Sequence, residues 1–200
     1  MNNQSPLRPA TWKNDRVLFI AQAGIIAAVY VVLTVVFAPF SFKEIQVRIS
    51  EMLTILPFFF PAAVPGVFIG CIIGNIIGGA VLPDVVFGSL ATLIGAMGTY
   101  VIGRAYRKRV ASSNAYVKGF EVDQVSKSPS TDSATLRKNL IVAAIPPIVA
   151  NALIVPFILK YAYAVPMPIP LMMLTVGIGE VISCGILGVL LGQVVARLYK

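Results

Sequence analysis

Apolar residues are gathered into six runs separated by short polar or proline-containing breaks. The runs are Val17–Phe37, Ile49–Phe60 (closed by Pro61), Ala62–Ala80, Asp84–Gly103, Leu140–Leu159 and Leu171–Leu198. Most approach the roughly 20 residues needed to cross about 30 Å of hydrocarbon as a helix. The second is marginal alone and needs Glu44–Arg48 to begin its helix in the membrane interface. Pro57, Pro61 and Pro65 predict that the second and third runs form a kinked or broken pair. The pattern predicts an all-α integral membrane protein with six transmembrane helices.

Composition leaves little room for a soluble alternative. The 200 residues are 58% hydrophobic and 12% charged, with a mean hydropathy of +0.86. A soluble domain carries about a quarter of its residues charged, so a polytopic membrane protein is expected. The net charge of +8 falls in the gaps between apolar runs, a pattern of topology and of anionic lipid more than of nucleic acid. With the N-terminus inside, cytoplasmic segments hold thirteen Lys and Arg, and the outer loops hold only Lys43, Arg48 and Lys160. That bias predicts cytoplasmic N- and C-termini in a multi-pass protein of the bacterial plasma membrane.

The organisation expected is a cytoplasmic segment 1–16, helices one to four in 17–103, a loop 104–139 and helices five and six in 140–200. The first apolar run is too long for a signal-peptide core and reads as a retained helix. The stretch Arg104–Asn139 opens with RAYRKR, is rich in Ser and Thr, and reads as a flexible cytoplasmic loop.

Candidate chemistry lies in the few polar residues inside the runs. Glu180 stands some nine residues into the sixth run, with no basic residue in the fifth and none in the sixth before Arg197 at its cytoplasmic end. A charge near the bilayer centre costs at least about 2.5–3.5 kcal/mol on insertion scales, so it faces a partner, a cavity or a ligand. At about 1.5 Å per residue, Glu180, Asn151, Asn75, Glu51 and Asp84 all fall in the outer half. One-sided clustering of this kind is expected of a binding cavity open to the outside. Each residue also has a structural alternative. Asp84 after Pro83 suits a helix N-cap; Asn75 and Asn151 suit interhelical hydrogen bonds; Glu51 suits a pair with Arg48 on one helical face.

Other features exclude more than they assign. There is no GxxxxGK[ST] loop, no histidine, and no Ser or Cys with an evident base beside it; enzyme activity, a bound metal and a resident cofactor are not expected. Cys71 and Cys184 read as small hydrophobes. Ala23 and Ala27, with Gly24 and Ala28 beside them, give the first helix a small-residue stripe. Such a stripe serves internal packing or docks a separate membrane subunit.

The stretch IQVRISEMLTILPFFFPAAVPGVFIGCIIGNIIGG, followed by DVVFGSLATLIGA, closely resembles the QueT family of queuosine-precursor transporters. IPPIVANALIVPFIL and LTVGIGEVISCGILGVLL resemble the same family's fifth and sixth segments, so residues 17–103 and 140–195 are covered. The family consists of substrate-binding S-components of energy-coupling-factor (ECF) transporters. The resemblance implies a six-helix bundle that binds a small nutrient from outside and joins a transmembrane coupling subunit and two cytoplasmic ATPases, which use the ATP. It implies docking of the coupling subunit on Ala23 and Ala27. The implied substrate is a 7-deazaguanine such as 7-aminomethyl-7-deazaguanine. Its guanine-like edge would meet one of Glu180 and Glu51, and its aminomethyl cation the other. Asn151 and Asn75 would read the remaining groups, Phe42, Tyr161 or Tyr163 would stack on the ring, and Arg48 would pair with Glu51 or close over the ligand. Two alternatives stay open: an S-component for another heterocyclic vitamin, and a self-sufficient transporter or channel using Glu180 as a proton or cation relay.

Overall fold

The computed structural model describes residues 11–37, 48–118 and 133–198. Among these the chain is helical, with no strand. In order come α1 (Thr11–Val36), α2 (Ile49–Phe58), α3 (Ala63–Ile77) and α4, a π-helical turn Asp84–Gly88 continued by Ser89–Lys118. Then come α5 (Ser133–Tyr161) and α6, built from Ile169–Glu180, a π-helical segment Val181–Gly188 and Val189–Leu198. Four stretches are long and apolar enough to cross a membrane: Arg16–Val36, Asp84–Val110, Ser133–Tyr161 and Ile169–Leu198. Helices α2 and α3 are shorter. Most of the large hydrophobic side chains that the long helices expose are Val, Ile, Leu and Phe, among them Ile20, Ile25, Val101 and Leu190. The chain is a multi-pass membrane protein with an apolar exterior and its polar groups turned inward.

Helix α2 is the departure from a bundle of ideal rods. It is a 3-10 helix of ten residues, longer than the three or four residues such helices usually sustain. At about 2.0 Å rise per residue it reaches roughly 20 Å, against about 15 Å for the same residues as an α-helix. Nearly all of it is buried, and it packs against α1, α3, α4, α5 and the second half of α6. Its C-terminal carbonyl at Phe58 accepts a hydrogen bond from the Arg107 guanidinium, a cation well placed at a helix C-terminus. There α4 approaches so closely that a Cβ on Gly103 would lie 2.6 Å from the Phe58 Cα.

Small residues set the other close contacts. Helices α1 and α3 run parallel, with Gly66 against Ala23 and Ile26, Gly70 against Ala27 and Tyr30, and Gly74 against Thr34. Helices α4 and α5 run antiparallel, with Gly95 and Gly98 fitted against Pro147 and Pro146. Proline has no N–H, so Pro147 leaves the Ala143 carbonyl without its helical donor. The Thr99 hydroxyl of α4 supplies that donor at 2.8 Å. The prolines thus interrupt α5 where its neighbour repairs the interruption.

The ends of the loop expected over 104–139 are helical. Helix α4 continues to Lys118 and α5 begins at Ser133, because Arg, Ala and Lys favour helix without needing a core. Residues 119–132 lie outside the described residues, as does the interfacial start expected at 44–47.

Candidate binding site

Glu51 is the third residue of α2, in its first turn, and is completely buried. Its Oε1 accepts hydrogen bonds from the Tyr30 hydroxyl of α1 at 2.5 Å and the Thr92 hydroxyl of α4 at 2.8 Å. Its Oε2 is buried and has no partner. Glu180 ends the first part of α6 and is 3% exposed. The Cys184 thiol donates to its Oε2 at 3.2 Å. Donor atoms of Glu51, Glu180 and Cys184 all lie within 4.8 Å of one another, the one such group of metal-capable side chains among the described residues.

Two ionised carboxylates at that separation repel by about 3 kcal/mol at an effective dielectric near 20. Only a shared proton or a cation between them removes that repulsion. Their walls are polar but incomplete. Asn151 lies beside Glu180 and reaches toward its carboxylate, though its buried Nδ2 completes no well-formed hydrogen bond. The Ser183 hydroxyl, one residue before Cys184, is also buried without a partner. Buried polar atoms are normally paired, so the unpartnered Glu51 Oε2 and the incompletely used Asn151 amide beside Glu180 mark a place where a further polar group fits. The π-helical segments add to this: one opens at Asp84 and the other follows directly on Glu180, and such bulges are common at functional sites.

A second polar group adjoins the first. Arg48 pairs with Asp84 at 2.9 Å, both buried. The Tyr163 hydroxyl donates to the same Asp84 oxygen at 3.1 Å and accepts from the Val81 amide at 3.3 Å. Burial, and then the Asp84 carboxylate, push the Tyr163 phenol above its ordinary pKa. Gly88 leaves room for Asp84, whose Oδ1 lies 2.5 Å from where a Cβ would stand.

Of the residues singled out in the sequence, Glu180, Glu51, Asn151, Asn75 and Arg48 are all buried. Several pairings differ from expectation. Arg48 meets Asp84 and not Glu51. Asp84 makes no helix cap; its side chain is taken by Arg48 and Tyr163. Asn75 joins Cys71 and the Asp84 carbonyl at 3.6 and 3.4 Å, the interhelical alternative. Tyr161 is 77% exposed and lines a separate apolar groove with Phe87 and Phe157. Ala27 is buried and, with Ala23, faces α3, so this stripe packs internally; Gly24 and Ala28 beside it are exposed. Phe42 lies outside the described residues.

Sequence reasoning missed Tyr30, Thr92 and Cys184. Cys184 carried a signal, since it follows Glu180 by four residues and so shares its helix face. Tyr30 and Thr92 carried none, as hydroxyls within apolar helices are ordinary.

The queuosine precursor transporter QueT of Lactococcus lactis subsp. cremoris (strain MG1363) is 37% identical over 84 residues, which are 41% of this chain and 49% of that protein. The match therefore spans about half the length of that curated relative. No solved structure matches the chain. The family profile described as QueT transporter matches residues 20–197, nearly the whole chain. Together with the apolar helices, this identifies a transporter and not an enzyme: the chain belongs to the QueT transporter family.

Proposed function

We propose that the chain is the substrate-binding S-component of an ECF-type importer and takes up a queuosine precursor, a 7-deazaguanine such as 7-aminomethyl-7-deazaguanine. The observation that carries the proposal is the buried Glu51–Glu180 pair with Glu51 Oε2 unpartnered. A ligand with both a cationic amine and a donor-rich edge answers both carboxylates at once. The name of the Lactococcus relative supports the substrate class. Asn151 supplies a further donor to the ring's acceptors. Tyr161, at the exposed end of α5, has no part in this arrangement.

Six crossings with both termini inside accord with the Lys and Arg bias, with α2 and α3 as the short pair among them. The chain has no ATP-binding loop, so energy comes from two cytoplasmic ATPases joined through a transmembrane coupling subunit. The face of α1 that carries Gly24 and Ala28 is the one open to that subunit.

Binding measurements on the purified protein test the substrate. Tight binding of 7-aminomethyl-7-deazaguanine, with thiamine and folate at least about a hundredfold weaker, is the expected outcome, since a site built for specific donors rejects analogues lacking them strongly. Equal binding of thiamine overturns the substrate. Uptake by vesicles holding this chain alone, without ATPases, overturns the S-component role.

A further inference from the structure

A cleft of about 670 Å³ opens at the end of the bundle opposite the carboxylates. It lies between Tyr106 of α4, the first turns of α5 and the last turn of α6. Arg137 and Lys138 line it from α5, and Arg197 lines it from α6. None of the three has a carboxylate partner among the described residues. The first turn of α5 borders the cleft and contains no acidic residue, so nothing within that turn offsets the three cations. Asp132, next in sequence, lies outside the described residues. Three cations thus line one concavity.

Ser133 and Gln193 add neutral polar groups, and the remaining lining is mostly apolar. Leu136, Ile141 and Ala196 contribute to it, and Ile141 is half exposed on the outer surface of the bundle. Ile141 stands one helical turn beyond Arg137, about 6 Å along the axis. A charged floor one turn from a lipid-facing apolar wall fits an amphiphile. The volume is also that of a pocket for a whole small molecule, in the range of about 300–1,000 Å³, and far exceeds a bare phosphate ion.

We infer that this cleft binds the phosphate headgroup of an anionic membrane phospholipid, with its acyl chains passing out beside Ile141. Basic pockets between transmembrane helices on the cytoplasmic side hold such headgroups. The site is separate from the carboxylate pair and stands whether or not the substrate proposed above is correct.

The test is lipid selectivity of the full chain. The protein is reconstituted in vesicles of phosphatidylglycerol and phosphatidylcholine, extracted in mild detergent, and its retained phospholipid quantified by mass spectrometry. The wild type should retain phosphatidylglycerol in preference to phosphatidylcholine, and Arg137→Gln/Arg197→Gln should lower that preference about tenfold or more. Arg16→Gln, a basic residue at the same end but outside the cleft, should leave it unchanged. Unchanged preference in the double variant overturns the site, and so does an equal loss in Arg16→Gln, which marks a general surface field. Displacement of the lipid by excess inorganic phosphate assigns a soluble anion and overturns the lipid reading. Should the double variant fail to give a monodisperse helical protein, Lys138→Gln and Arg197→Gln singly carry the same comparison.

Discussion

Arg48 and Asp84, thirty-six residues apart in sequence, meet as a buried ion pair at 2.9 Å. The pair ties the start of α2 to the start of α4, and Tyr163 ties the α5–α6 connection to the same carboxylate. Removing one partner leaves the other charge buried and uncompensated. Asp84→Asn or Arg48→Gln should therefore lower stability by about 3–5 kcal/mol, read by thermal unfolding in detergent. The double variant should recover part of the loss; a double variant as unstable as the sum of the two singles would show that the pairing matters little.

The two buried carboxylates should differ from that pair in what their loss does. Glu180→Gln should weaken 7-aminomethyl-7-deazaguanine binding by about 10- to 150-fold, the loss of a hydrogen bond to a charged group, with the fold intact. Glu51→Gln should weaken binding similarly and also disturb the Tyr30 and Thr92 hydroxyls. Isothermal titration with unfolding scans separates the two effects. Undiminished affinity in Glu180→Gln would remove it from the site.

Thr99→Val removes the hydroxyl that serves the Ala143 carbonyl while keeping the side chain's shape. The expected cost is about 0.5–2 kcal/mol, the scale of interhelical hydrogen bonds in membranes. The loss should largely disappear in a Pro147→Ala background, where α5 regains its own donor.

Gly95 and Gly24 make a matched contrast. A Cβ on Gly95 would lie 2.5 Å from the Pro147 Cα, whereas one on Gly24 would meet nothing within 4 Å. Gly95→Ala should destabilise by about 1–3 kcal/mol through overpacking, and Gly24→Ala should be neutral in the isolated protein. If α1 docks a coupling subunit there, Gly24→Leu should reduce co-purification with the ATPases at unchanged stability. An unaffected complex would place docking on another face.

Long apolar runs made the spanning helices legible, because a bilayer demands about 20 such residues and little else does. Glu51 and Glu180 were legible for the converse reason: ionisable groups are costly there. Local pitch was not. The ISEMLTILPF stretch gives no periodicity that separates a 3-10 from an α-helix, and its packing on five neighbours decides the matter. Arg48 lies three residues from Glu51 in sequence but pairs with Asp84, a tertiary choice no local spacing encodes. Likewise Ala23 and Ala27 advertise a smooth face, but only Gly66 and Gly70 on α3 reveal that the face is already covered.

The overwound pitch of α2 has a mechanical consequence. One end of this rod is anchored at Glu51 by Tyr30 and Thr92, and the other at Phe58 by Arg107 and the close backbone of Gly103. Rewinding the seven residue steps from Glu51 to Phe58 to α-helical pitch would draw those anchors together by about 3.5 Å. A length change of that size is about two-thirds of a helical turn of a neighbouring rod. The pitch of this rod therefore sets the spacing between the Glu51 carboxylate and the Arg107 end of the bundle.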